Sequence, residues 1–264
     1  GTGPTPATPT GAQPTVASPT GVSPPIGTGP TPTTPTGLQP TPEATRPPTT
    51  GQLCEAIIVG FDMDASGNAV AKGTYVENEW TEYGFTLSAE GGVGTLPRIF
   101  DTTSPGGETP RTCGDSDLGA PNNYCPGGGP GNGDGGKPGT EGENCLPQGN
   151  ALIIQEPGAS CPDDNGDGGI INFNFTATNG QYVYELGLLD IDYEVNVELG
   201  YDTSTGFKER EIVVPFLGDN SYQVLAINQA NVKWIKVKFE RSGAITSIKL
   251  CPEEGVTPPP SETE

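Results

Sequence analysis

Two short loops carry aspartates in alternate positions, a pattern that could bind a cation. Alternating oxygen-bearing side chains followed by a turning glycine match the first half of an EF-hand loop, because a hard cation needs several converging oxygens. The position that supplies a bidentate Glu in an EF-hand is Gly73 in one loop and Asn174 in the other, so neither is an EF-hand. The residues in this spacing are Asp62, Asp64, Ser66 and Gly67 in "DMDASG", and Asp163, Asn165, Asp167 and Gly168 in "DDNGDGG".

Further paired acids alternate in "GDSDLG" and "LLDID", where they would project to one side of a strand. Like charges on one face repel each other, and a bound divalent cation relieves that repulsion. The alternative is ordinary turn chemistry, with Asp capping its own backbone. We expect at least one structural Ca²⁺, with the choice of ligands open among Asp62, Asp64, Asp115, Asp117, Asp163, Asn165, Asp167, Asp190 and Asp192.

Other chemistry finds little support. The chain contains no His, no GxSxG and no P-loop, so only a glycosidase-like pair of carboxylates would be available for catalysis. With so many acids such a pair is uninformative, and we expect a protein that is not an enzyme.

The six cysteines indicate disulfides, since there is no CxxC pair and no His to make a zinc site. Cys54 precedes the first expected strand and Cys251 follows the last, so we expect these to pair and to contribute roughly 4 to 5 kcal/mol by loop closure. Cys125 and Cys145 flank a Gly-rich loop, and Cys113 with Cys161 is left by elimination; these two pairings stay open. Disulfides persist in oxidising compartments, which predicts an extracellular or cell-surface protein.

The composition divides the chain into a tail and a domain. Residues 1–51 are nearly all Pro, Thr, Gly, Ala and Ser and lack the apolar surface that offsets the entropy of ordering. "GTGPTPATPTGAQPT" at Gly1 returns as "GTGPTPTTPTGLQPT" from Gly27 to Thr41. We expect an extended, polyproline II type tail, a domain over 52–254 with a Gly-rich insertion near 126–144 that cannot hold its own shape, and a short tail over 255–264.

Short runs rich in Val, Ile, Phe and Tyr recur through the domain between Gly, Asn and Asp clusters. Ile171, Phe173 and Phe175 alternate with polar residues, a period of two that is typical of strands. No segment has the apolar spacing of a helix. The pattern predicts an all-β fold, an antiparallel β-sandwich or jelly roll.

The formal charge of −21 lies on the domain and its C-terminal extension, because Glu43 and Arg46 cancel in the tail. It argues against nucleic acid and anionic membranes as partners. The chain has no initiator Met, signal peptide or apolar run of membrane-spanning length, and we expect a processed product or a fragment without membrane insertion.

Glycosylation is expected at two kinds of site. Asn174 begins the sequon Asn-Phe-Thr and points away from the apolar side of its strand. Thr residues beside Pro are typical of O-glycosylated mucin-like or hydroxyproline-rich stalks. The tail candidates are Thr5, Thr8, Thr10, Thr31, Thr34 and Thr36.

A series of motifs runs in order from Ala56 to Leu250: "VGFDMDASGN", "DSDLGAPN", "GNALIIQE", "PDDNGDGGIINFNF" and "LGLLDID". In content and order they resemble a largely uncharacterised family of secreted bacterial and algal surface proteins. The resemblance implies a β-sandwich on the cell surface. The cysteines and the Gly-rich insertion depart from the family pattern. The family's acidic positions fall on Asp62, Asp64, Asp115, Asp117, Asp163, Asp164, Asp190 and Asp192.

Two functions follow as hypotheses. One is a structural subunit of a glycosylated extracellular filament, a head-to-tail homo-oligomer in which each tail packs on neighbouring subunits; a 26-residue polyproline II repeat reaches roughly 80 Å. The other is a Ca²⁺-assisted carbohydrate-binding or adhesive module on a glycosylated stalk, with Trp80, Tyr83, Tyr124 and Tyr201 as sugar-stacking candidates. For Trp80 and Tyr83 we favour a core position.

Overall fold

The computed structural model describes residues 54–105 and 115–252, so the N-terminal tail with its candidate Thr sites, Cys113 and residues 255–264 lie outside the described part. The described residues form ten strands and a short 3₁₀ turn at Thr81–Tyr83. The strands are β1 Ile57–Gly60, β2 Phe85–Glu90, β3 Arg98–Asp101, β4 Asn150–Ile153, β5 Gly169–Phe175, β6 Gln181–Leu189, β7 Val195–Thr203, β8 Gly206–Val214, β9 Tyr222–Phe239 and β10 Ala244–Cys251.

The strands pair as an antiparallel, curled sheet whose inner side holds the core. Its path runs β2-β5-β9-β6-β10-β4-β3, with β1 on β10, and β7 between β8 and β9. The first half of β9 pairs with β6, while the second half lies between β5 and β7. Asn228 and Asn231 adopt positive φ values of 49° and 57° inside β9, beside the register shifts of its pairing with β6. Strand β9 therefore joins two arms of the curled sheet.

Alternation decides which side chains fill the core. Phe173 of β5 lies opposite Leu87 of β2 and Ile235 of β9, and all three are buried. Each such side chain contributes roughly 1.5–3 kcal/mol on leaving water. Buried residues from both arms belong to a common apolar cluster, as expected when a twisted sheet folds over on itself. The antiparallel, all-β fold predicted from the sequence is confirmed.

Two disulfides tie this fold together. Cys54, just before β1, bonds to Cys251 at the end of β10, with 5.9 Å between their Cα atoms. Cys125 bonds to Cys145 across the base of the Gly-rich insertion, with a Cα separation of 5.3 Å. Both pairs are those expected from the sequence, and the partner expected for Cys161 lies outside the described residues.

The Gly-rich insertion is packed against the rest of the domain, contrary to the expectation that it cannot hold a shape. A Cβ on Gly133 would lie 2.3 Å from the Asp219 carbonyl oxygen, and one on Gly135 would lie 2.4 Å from that of Gly218. Glycine is required there because two backbones touch. The contact with residues 218–220 therefore adds to the disulfide in holding the shape of the insertion.

Within the described ranges, no helix is long and apolar enough to cross a lipid bilayer.

Candidate metal centre

Three carboxylates from two loops converge beside the sheet. Asp115, Asp163 and Asp164 each present an oxygen, and these oxygens lie within 4.8 Å of one another. Among the residues that the structure describes, they form the one group of three or more possible metal ligands at such distances. The first loop leads into the "DLG" turn, and the second connects β4 to β5.

Asp164 is held at the base of the group. It lies in a bridge with Gln155 and is only 6% exposed, and its Oδ2 accepts the N–H of Gly243 at 2.6 Å. Gly243 has a φ of 150°, and a Cβ there would meet the Phe239 ring at 2.8 Å. The close approach of the β9–β10 turn therefore requires glycine and fixes one oxygen of Asp164.

A third segment, which follows the end of β6, carries Asp190 and Asp192. Asp190 is 1% exposed and adopts a left-handed φ of 55°, and its backbone N–H donates to the Ser221 carbonyl at 2.9 Å. Its Oδ1 accepts the backbone N–H of Asn220 at 2.5 Å. The Asp192 carboxylate accepts the Ser242 hydroxyl at 2.6 Å. The turns around β9 thus orient the acids that follow β6.

The acids perturb one another's ionisation. Burial, followed by the contact with Asp164, raises the pKa of Asp115 to about 8. Burial and then the neighbouring Asp115 raise the pKa of Asp117 to about 8. Burial raises the pKa of Asp164 to about 7, with Asp190 adding to the effect and the contact with Asp115 opposing it. Burial and the charge of Asp117 place the pKa of Asp190 well above its usual value.

Among the described residues, no ion pair compensates the charge of these acids. The buried oxygens Asp117 Oδ1, Asp164 Oδ1 and Asp190 Oδ2 have no hydrogen-bond partner within residues 54–105 and 115–252. Buried, unpaired carboxylates are costly unless they are protonated, paired or coordinated to a metal. A set made only of oxygens fits a hard cation, Ca²⁺ above all, and does not fit the nitrogen and sulfur preference of Zn²⁺.

The first acidic loop has a different role. Asp64 is half-buried, and its Oδ1 accepts the backbone N–H groups of Ser66 and Asn68 at 2.9 and 2.8 Å. The side chain of Asn68 is the main cause that lowers the pKa of Asp64. Asp62 accepts the N–H of Asn150 at 2.9 Å. The structure does not bring Asp62 and Asp64 into the three-carboxylate group, and Asp64 shows the turn chemistry that was the alternative explanation.

The second acidic loop uses different positions from those that the spacing selects. Asn165 is buried, and its amide donates to the carbonyls of Gly91 and Gly168 at 3.1 and 2.7 Å. Asp167 is exposed and is not in the group. Asp163 and its neighbour Asp164 are the members. The spacing alone passed over Asp164; the resemblance to secreted surface proteins was the signal that included it.

Buried asparagines support the centre, and the sequence analysis missed them. Asn220 Oδ1 accepts from the amides of Asn122 and Asn144, at 2.7 and 3.3 Å. Asn220 Nδ2 donates to the carbonyls of Asp117 and Gly119. Asn220 therefore connects the "DLG" turn, the Gly-rich insertion and Asp190. The only signal in the sequence was an Asn in a Gly-Asp-Asn turn, which is too common to be informative.

The four aromatic residues proposed to stack on sugars differ in their exposure to solvent. Trp80 is fully buried and donates its indole N–H to the Met63 carbonyl at 2.9 Å, and Tyr83 is also in the core. Tyr124 is 62% exposed on the Gly-rich insertion, and Tyr201 packs partly buried against the core. Trp80 and Tyr83 are therefore core residues and are not available to a carbohydrate.

The fold and the centre define a disulfide-linked, antiparallel β-domain with a buried acidic cluster. No family model matches the chain, and no match is found among curated proteins.

Proposed function

We propose that the protein is an extracellular structural subunit whose domain is locked by Ca²⁺ at the acidic cluster and whose repeated tail joins it to neighbouring copies. The observation that carries the calcium role is the set of buried, unpartnered oxygens on Asp117, Asp164 and Asp190, next to the three-carboxylate group. A cation would neutralise the carboxylates, which burial otherwise keeps partly protonated.

The bound cation would act on structure rather than on catalysis. Asp115, Asp163 and Asp164 would supply converging oxygens, and the buried Asp117 and Asp190 nearby are candidates for further ones. Ca²⁺ takes 6–8 oxygens in flexible arrangements, so waters and carbonyls can complete the set. Such a cation would cross-link the "DLG" turn, the β4–β5 loop and the segment after β6. Mg²⁺ fits less well, because it demands near-ideal octahedral geometry.

The test is a titration of the chelator-treated, full-length protein with CaCl₂, followed by calorimetry and thermal unfolding. At a Ca²⁺ concentration a hundredfold above Kd, binding adds about 2.7 kcal/mol to the free energy of unfolding. For a domain of this size we expect the Tm to rise by roughly 5–10 °C. An unchanged Tm together with no heat of binding would refute the calcium role.

The filament role is supported by the sequence of the tail and by the disulfides of the domain. Two nearly identical 15-residue segments start 26 residues apart, which would present the same side chains to equivalent surfaces on successive subunits. Two disulfides are typical of proteins in oxidising compartments. Glycans on the Thr residues of the tail would stiffen it.

Electron microscopy of the native material tests the filament role. We expect fibres with a regular axial repeat, which are lost when Gly1 to Thr50 is deleted while the calcium response of the domain stays the same. Isolated monomers that bind free glycans would favour the adhesive module on a stalk instead. Fibres that assemble equally well without the tail would refute the joining role of the tail.

A further inference from the structure

The outer side of the β2-β5-β9-β7-β8 arm carries an aromatic surface that the sequence analysis did not single out. Trp234 of β9 lies between β5 and β7, directly opposite Gly200 on the β7 side. Ile235 and Val237 point into the core, so Trp234 points outward. Phe207 on the edge strand β8 is 51% exposed on the same outer side.

Gly200 allows the indole of Trp234 to lie flat on the sheet. A Cβ on Gly200 would lie 2.4 Å from both Cε2 and Nε1 of Trp234, and 2.5 Å from Cζ of Phe207. The rings of Trp234 and Phe207 therefore occupy the space above the Gly200 backbone. Any larger residue would push the indole upright, because the pleated strand directs a side chain into that space. Trp234 is half-buried in this position, and the Lys236 ammonium lies over its ring.

The glycosylation sequon lies directly beside this surface. In the pairing of β5 with β9, Asn174 is the partner of Trp234, and on its other side it faces Thr86 of β2. Directly opposed residues of antiparallel strands share a face, with about 4.5–5.5 Å between their Cβ atoms. Asn174 is exposed, whereas its neighbours Phe173 and Phe175 are buried. A sugar on Asn174 Nδ2 would begin next to the indole.

We propose that Asn174 carries an N-linked glycan whose first sugars stack on Trp234. In the modification, Asn174 Nδ2 attacks C1 of an oligosaccharide carried on a polyprenyl diphosphate. The N–C1 bond forms as the bond between C1 and the diphosphate oxygen breaks, and the amide loses a proton as the lipid diphosphate leaves. If the oligosaccharide is transferred to the unfolded chain, before β5 pairs with its neighbours, the strand cannot block access to Asn174.

The chemistry of the surface suits a sugar. The negative face of an indole attracts the polarised C–H groups on the apolar face of a pyranose. Around Trp234, Glu198, Glu209, Arg210 and Glu211 line a cavity of about 330 Å³. The Lys236 ammonium lies over the Trp234 ring, 5.1 Å from its centroid, and would move to the rim when a sugar stacks on that face. These polar groups can bind hydroxyls at the rim of the stacked ring.

The stacked glycan would cover the half-buried Trp234 beside the exposed Phe207, and its first sugars would be ordered against the sheet. This inference depends on the extracellular location in the proposed function, because N-glycosylation takes place on the secretory route. It does not depend on Ca²⁺, because Asn174 and Trp234 do not belong to the acidic cluster.

The test starts with the full-length chain secreted by a eukaryotic cell line, and with peptide mass spectrometry. The Asn174 peptide should carry a hexose- and N-acetylhexosamine-containing mass that an amidase removes. Thr176→Ala is the matched unglycosylated control. It removes the sequon but keeps the hydrogen bond from the backbone N–H of residue 176 to the Gly84 carbonyl. An unmodified Asn174 in the secreted wild type would overturn the proposal.

Acrylamide quenching of tryptophan fluorescence then tests the stacking. Trp80 is fully buried, so Trp234 dominates the quenching. We expect about twofold weaker quenching in the glycosylated wild type than in Thr176→Ala, because the sugar covers the free indole face. A glycan-dependent rise in Tm should disappear in Trp234→Leu, which keeps the sequon and loses the flat ring. Equal quenching with and without the glycan would overturn the stacking.

Two further outcomes separate this proposal from its alternatives. Free oligosaccharide that quenches Trp234 in Thr176→Ala, with Asn174 unmodified in the wild type, would assign the surface to an external glycan and overturn the covalent one. Thr176→Ala should respond to CaCl₂ as the wild type does. A secreted wild type that lacks the glycan but keeps its calcium response would refute this inference alone. A glycosylated wild type with no calcium response would refute the calcium role alone.

Discussion

At the scale of single residues, Asp164 is the carboxylate on which the acidic cluster depends. One of its oxygens accepts the N–H of Gly243, while the other is buried close to Asp115 and has no partner in the described part of the chain. An Asn at this position keeps an acceptor for Gly243 and offers an N–H toward Asp115. We expect Asp164→Asn to lose the calcium-dependent rise in Tm and to be more stable than the wild type in chelator, because one buried charge is gone. Thermal unfolding with EGTA and with CaCl₂ measures both effects.

Asp167→Asn is the matched control for that substitution, since it removes the same charge from the same loop at an exposed position. It should keep the calcium response within about 0.5 kcal/mol of the wild type. Loss of the response in Asp167→Asn but not in Asp164→Asn would mean that the loop binds the cation through the alternating positions, as an EF-hand does.

The raised pKa values predict how the stability of the metal-free domain depends on pH. Folded Asp115 and Asp117 have pKa values of about 8, above the usual value near 3.8, so the folded state binds more protons than the unfolded state between these limits. The free energy of unfolding therefore falls as the pH rises from about 4 through about 8. Calcium affinity should rise over the same range, because the cation binds the deprotonated form.

Urea unfolding at pH 5 and at pH 8, with EGTA and with CaCl₂, measures this dependence. In EGTA the midpoint should be lower at pH 8 than at pH 5, and CaCl₂ should abolish or reverse the difference. A metal-free domain that becomes more stable toward pH 8 would contradict the burial of uncompensated carboxylates.

At the scale of elements, the Gly-rich insertion depends on backbone contact. A Cβ on Gly133 would overlap the Asp219 carbonyl, whereas one on Gly166 would meet no atom within 4 Å. We expect Gly133→Ala to cost about 1–3 kcal/mol, because neither backbone can move freely. Gly166→Ala, also at a φ outside the left-handed region, should be close to neutral. Urea denaturation measures both, and equal effects would contradict the packed insertion.

Gly133→Ala should also weaken calcium binding, because Asp219 precedes Asn220, whose N–H holds Asp190. Titration with CaCl₂ at a temperature where the variant stays folded separates this effect from stability.

The sequence was sufficient to predict the strands but not the contacts between loops. Alternation of Phe173 and Phe175 with polar residues is local information, and it correctly predicted strand β5 and its buried face. The disulfide from Cys54 to Cys251 followed from the positions of the first and last strands. The grouping of Asp115 with Asp164 depends on which loops the curled sheet brings together, and no local pattern encodes that. The spacing within one loop therefore selected Asn165 and Asp167 as ligands. In the structure the Asn165 amide donates to backbone carbonyls, and Asp167 is exposed to solvent.

At the scale of the whole molecule, the acidic charge is unevenly accommodated. The chain carries 33 Asp and Glu against 12 Lys and Arg. Exposed acids are solvated, whereas Asp164 and Asp190 are buried. The domain thus concentrates its electrostatic cost at one place, where a single ion can relieve it.

The disulfide between Cys54 and Cys251 also decides how the molecule would respond to tension. The two cysteines flank the folded strands, so a pull applied through the tail and the C-terminal extension passes through the sulfur–sulfur bond and leaves the sheet unloaded. Single-molecule stretching should show no unfolding of the domain while the bond is intact. After reduction, the 197-residue separation between the cysteines should lengthen the chain by roughly 650–700 Å. A gain in length before reduction would contradict the idea that the disulfide carries the force. If no gain occurs, the folded domain does not lengthen under tension while the disulfide is intact.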